Sequence, residues 1–150
     1  MRLLRIEIKG ARLFEGECLD MDFFASDRVV HDEDGRVADV TQVGSAGSIY
    51  SQNVIGITGV NASGKTTALN LVRFVLRYMA GPYAMRQPYY GSGRIGKLGP
   101  ALTATVVFWE DGHFYQLVSR LEYNHLSSGP SSQDGEGGDE LAFREETLWQ

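Results

Sequence analysis

The stretch from Asn53 to Met79 decides how this chain is read: Asn-Val-Ile-Gly-Ile-Thr, then Gly59-Val-Asn-Ala-Ser-Gly64-Lys65-Thr66-Thr67, then Ala-Leu-Asn-Leu-Val-Arg-Phe-Val-Leu-Arg-Tyr-Met. Its middle fits Gly-x-x-x-x-Gly-Lys-[Ser/Thr], with Gly59, Gly64, Lys65 and Thr66 in the fixed places. Glycine at both ends allows backbone conformations closed to other residues, so successive N–H groups can converge on phosphate oxygens. Lys65 is long enough to reach the outer phosphates, and the Thr66 hydroxyl is a ligand for Mg²⁺. A helix starting here points its positive end at the same anion.

The flanks supply a context for the loop. Val54, Ile55 and Ile57 make an apolar run expected to form a parallel strand buried on both faces. Thr67 to Met79 lacks Gly and Pro, and Gly81-Pro82 predicts the helix stop. Asn70, Arg73 and Arg77 form one narrow polar stripe, so the helix is expected to be covered on most sides.

Outward from this centre, Leu4, Ile6 and Ile8 alternate with Arg5, Glu7 and Lys9. Leu19, Met21 and Phe23 alternate with Asp20 and Asp22, predicting an antiparallel pair. Residues 25–52 form an insertion with a small hairpin expected around Asp32-Glu33-Asp34-Gly35, the remainder being a mobile Ser/Gly/Gln-rich loop. Pro82 to Pro100 reads as an irregular surface excursion. Thr103–Trp109, a turn at Glu110-Asp111-Gly112, and Phe114–Tyr123 predict a hairpin. Residues 127–140 form a low-complexity, flexible loop, and Leu141 to Gln150 predicts a further strand.

At 150 residues with 43 % hydrophobic content, the chain has material for one ordinary core. No apolar run is long enough to span a bilayer, and charge interrupts the N-terminal apolar residues, against a secretory signal. The single Cys18 allows no internal disulfide, which points to a cytoplasmic setting. Net charge is −5, yet no acid lies between Gly59 and Trp109, against six bases: Lys65, Arg73, Arg77, Arg86, Arg94 and Lys97. That local field suits a nucleotide's phosphates, with a DNA backbone as the less favoured alternative. Tyr83, Tyr89 and Tyr90 with Arg86 and Arg94 offer a stacking surface, although a loop packing its own aromatics is the simpler reading. His31, His113 and His125 lack the spacing of a zinc site, and Cys18 has no base partner.

The loop is more particular than the minimal pattern. Gly59-x-Asn61-Ala62-Ser63-Gly64-Lys65-Thr66-Thr67 resembles the loop of ABC-type ATPase heads, in particular the RecF, SMC and OLD-nuclease-like AAA ATPases. The resemblance extends to Ile6-Glu-Ile-Lys-Gly-Ala-Arg12-Leu-Phe and Leu19-Asp-Met-Asp-Phe23, although Gly10, Ala11 and Leu13 depart from that family's Asn, Phe and Ser. It implies an α/β fold of P-loop NTPase type: an ABC-type ATPase N-terminal lobe with antiparallel β-strands packed beside the P-loop strand and helix. It also implies ATP and Mg²⁺ as ligands, held by Gly59, Asn61, Ala62, Ser63, Gly64, Lys65, Thr66 and Thr67, with Arg12 near the phosphates and Thr66 on the metal. Lys65 is the residue expected to act in catalysis, and Glu146 is read as structural.

Nowhere do four apolar residues lead into Asp-Glu, so the acid and base needed for hydrolysis are not in this sequence. Leu126-Ser-Ser-Gly129 precedes Pro130 and an acidic tract, unlike an ABC signature, and Gln87 and Gln116 are equally weak Gln-loop candidates. Turnover is therefore expected only when a C-terminal lobe, and a homodimer partner, complete the site. DNA or a nuclease are the partners such ATPases imply. A small P-loop kinase and a non-catalytic module with a vestigial loop are the alternatives.

Overall fold

Alternation along the chain builds one sheet. The computed structural model describes residues 1–25, 29–30, 33, 37, 39–44, 48–61, 63–81, 98–125 and 139–150, with backbone alone for 123–125 and 139–143. Five strands, β1 (Arg2–Lys9), β2 (Cys18–Asp22), β5 (Ala101–Glu110), β6 (His113–His125) and β7 (Asp139–Trp149), lie in the order β2-β1-β5-β6-β7. Every pairing is antiparallel. β3 (Val40–Gln42) and β4 (Tyr50–Gln52) form a separate two-stranded sheet. The single helix among the described residues longer than one turn is α1 (Lys65–Met79).

Side chains at Leu102, Ala104, Val106 and Phe108 face inward from β5, matching Ile6 and Ile8 of β1 and Leu121 of β6. Against them α1 lays Ala68, Leu71, Phe74, Val75 and Tyr78, whose spacing of three and four puts them on one side of the helix. Burying a side chain such as Leu71, 2 % exposed, contributes about 2 kcal/mol. The opposite face is mixed, with Val107, Trp109 and Val118 toward its middle and charged residues on β1 and β2. There Arg5 makes a two-pronged pair with Asp20 at 2.9 and 2.6 Å, and Lys9 pairs with Glu7. The β5–β6 hairpin turns at Asp111 and Gly112, both with positive φ (48° and 87°), a turn whose twist matches the strands it joins.

Four expectations are corrected. Residues 54–59 form no strand, and Val54 is 76 % exposed. A parallel strand needs a neighbour to take its amides and carbonyls, and no described strand runs beside this segment. Among the described residues helix α1 is covered on one side only: its inner face packs on the sheet, and Leu69 and Leu76 are exposed. Part of the expected 25–52 loop is ordered as β3 and β4, tied to the main sheet where Phe23 donates its amide to Leu4 O and Gln52 its amide to Phe23 O. Asp139 and Glu140, expected within a flexible loop, open β7 and pair with His125 and Asn124.

The Asp32–Gly35 turn (apart from Glu33), the excursion at 82–97 with its tyrosines, arginines and Gln87, His31, and residues 126–138 lie outside the described residues. No described helix is long and apolar enough to cross a membrane.

Candidate functional site

The loop 59–64 closes on its own lysine. The Lys65 ammonium donates to Gly59 O at 2.7 Å and Val60 O at 2.5 Å, with the Ser63 hydroxyl at 3.5 Å. A turn from Val60 O to Ser63 N at 3.3 Å sets the bend. Gly59 has φ +153°, and a Cβ there would press on Ser63 Oγ at 2.9 Å, so the position admits no side chain without rearrangement. Gly64 is left-handed at φ +86°, which lets the chain turn from loop into helix within one residue.

The first α1 hydrogen bond of this turn runs from Ala68 N to Gly64 O. Amides at 65–67 precede it and have no intrahelical acceptor. No side chain caps the helix at Gly64, and no acid stands in its first turn. These donors and the positive end of the helix dipole lie at the end of α1 where Lys65 is the first helical residue, an arrangement suited to a polyanion. Thr66 is exposed on that first turn, and Thr67 is half-buried. Asn61 and Ser63 are exposed along the loop, and Ala62 lies outside the described residues.

A second segment is held against this end. Leu13 Cδ2 and Phe14 Cε1 each lie 3.5 Å from where a Gly64 Cβ would stand. The connection carrying them leaves β1 through Gly10, at φ +88°, where any Cβ would collide with Ala101 O; a Cβ on Gly99 would likewise meet Gly10 O. Arg12 donates its amide to Leu98 O at 2.8 Å. The structure thus brings the chain around Arg12 to the loop, with the exposed Arg12 side chain next to Leu13. Sequence reasoning missed Leu13 and Phe14 as neighbours of the loop, since only the fold brings residues fifty apart together.

Glu146 accepts a 3.3 Å hydrogen bond from the buried Ser119 hydroxyl, away from the loop. Burial raises the Tyr78 phenol above its ordinary range; Ser119 opposes that shift and Glu146 adds to it. Cys18 is a free thiol raised by desolvation first and by Glu7 next. His113 faces Asp111 O at 3.1 Å. Among the described residues no group of three or more His, Cys, Asp or Glu could hold a metal ion.

Comparisons with protein-family models, curated proteins and solved structures return no match for this chain. What is established is a mixed α/β fold, an antiparallel sheet backed by one helix, with a glycine-flanked loop at the helix N-terminus.

Proposed function

We propose that this chain is the ATP–Mg²⁺-binding lobe of an ABC-type ATPase of the RecF, SMC and OLD-like kind. One observation carries the reading: Gly59 O and Val60 O of the glycine-flanked loop hold the ammonium of Lys65, the first residue of a helix that no side chain caps. In this proposal the triphosphate replaces Gly59 O and Val60 O as the partner of Lys65, while amides from Gly59 to Thr67 hold its oxygens. Arg12 adds charge from the neighbouring connection.

Of the described side chains at the loop, the Thr66 hydroxyl is the one that would hold Mg²⁺, with phosphate and water as its other ligands. When bound, the ion neutralises charge on the phosphates. Lys65 and the loop amides bind and orient the phosphates; the apolar run into Asp-Glu with which such ATPases order an attacking water does not occur in the sequence. Turnover therefore belongs to the completed protein, with a C-terminal lobe and a dimer partner bringing the missing groups. No described strand pairs with the largely apolar run 54–59, which favours completion by further strands over a self-contained kinase.

Ligand binding stabilises the form that binds. Addition of millimolar ATP–Mg²⁺ is expected to raise the melting temperature by a few degrees, and Lys65→Ala to remove that rise while leaving the unliganded melt in place. No shift in the parent chain would sink the reading. Phosphoryl transfer to a small acceptor would replace it with the kinase.

A further inference from the structure

The run from Val54 to Gly59 has no strand beside it among the described residues, so something else must fix where the loop begins. In the middle, Ile57 packs partly against the core. At the far end, Gly59 O and Val60 O are held by Lys65. At the near end lies a polar node that no motif announces. One Arg2 nitrogen, Nη1, donates to Ser51 Oγ at 2.8 Å and to Asn53 Oδ1 at 3.1 Å. Asn53 Oδ1 also accepts from Thr41 Oγ1 at 2.8 Å, and Asn53 N donates to Asp39 O at 2.9 Å. Ser51, the hydroxyl that Arg2 reaches, is 1 % exposed.

These bonds link three parts of the chain. Arg2 belongs to β1, whose backbone pairs with Trp109 of β5, so its stem stands on the central sheet. Ser51 and Thr41 belong to the β4 and β3 pair within the insertion. Asn53 is the residue immediately before the loop segment. A planar guanidinium holding two acceptors at once fixes direction as well as distance.

We propose that Arg2 is a positioning residue for the phosphate loop, mooring Asn53 and, through it, the start of the 54–59 segment, so that the 25–52 insertion bears on nucleotide affinity. The inference rests on the ATP-binding reading of the loop. A misplaced anchor leaves the loop to be ordered at the moment of binding, which lowers affinity without touching a phosphate contact.

The test compares the parent chain with Arg2→Met, Asn53→Ala and the double variant, using calorimetric titration with ATP–Mg²⁺ and ¹⁵N relaxation of the Gly56 and Gly59 amides. Either single change is expected to weaken binding about tenfold, and the double change no further, since both remove one link. Gly56 and Gly59 should gain fast motion, while amides in β5 keep theirs. Arg2→Met with parental affinity and unchanged relaxation would overturn the inference. If the parent chain itself binds no ATP–Mg²⁺, the functional reading fails, and the relaxation comparison alone decides for or against the mooring. Asn53→Ala gives the same decision should Arg2→Met fold poorly.

Discussion

The two faces of α1 belong to different kinds of structure. On its inner face, Leu71, Phe74, Val75 and Tyr78 meet a sheet in which every strand has an antiparallel neighbour. Beside its N-terminus, residues 54–61 pair with no described strand and are held by Asn53, Ile57 and the Lys65 ammonium. The first region is fixed by area removed from water, the second by a few polar bonds and two glycines. On the proposed function stability resides in the first and nucleotide binding in the second, and substitutions should separate them.

The largest contrast comes from the core. Leu71→Ala is expected to cost about 3 kcal/mol in a denaturant melt, through lost burial and a cavity. Val54→Thr, at a side chain 76 % exposed, should stay within about 0.5 kcal/mol. Equal costs would mean that the 54–59 segment is packed after all, and the distinction would collapse.

Gly10→Ala tests the seam between the regions. A methyl there meets Ala101 O in a left-handed conformation, so about 2 kcal/mol should be lost. Because the same connection places Leu13 and Phe14 against Gly64, ATP–Mg²⁺ affinity should fall with it. A loss of stability with affinity intact would show that the connection does not shape the loop.

A smaller effect lies at the charged β1–β2 end of the sheet's other face. The hydrogen bond from Arg5 holds the Asp20 carboxyl below its usual range, against a smaller opposing effect of burial. A lowered folded-state pKa means that its stabilisation is present above about pH 4 and is lost as pH falls through the folded value. Both partners are exposed, so Asp20→Asn should cost at most about 1 kcal/mol at neutral pH and reduce the loss of stability on acidification. A larger cost would make that face more than a solvated surface.

Much of the sheet was legible because alternation is a local signal. Leu4, Ile6 and Ile8 announce a half-buried strand whichever neighbour they find, and the β-branched and aromatic run Thr103–Trp109 does so by its composition. β3 and β4 were not legible, since three residues carry no measurable period. Val54, Ile55 and Ile57 misled for the opposite reason. β-branched side chains state a preference for a strand, but a strand exists only when another supplies its hydrogen bonds. Leu69 and Leu76 misled likewise, since an apolar helix face predicts a cover that the described residues do not provide. At the candidate site, the local chemistry of Gly59, Gly64 and Lys65 stood in the sequence, whereas the reach of Arg2 across 49 and 51 positions did not.

The central claim is that main-chain amides at the head of α1 gather a triphosphate. The most direct measurement is an amide ¹H–¹⁵N spectrum of the labelled chain during titration with ATP–Mg²⁺. Saturable shifts confined to Gly59, Asn61 and Ser63 through Thr67, and lost in Lys65→Ala, are the predicted result. No shifts at those amides, or the same shifts with Lys65 removed, would contradict it.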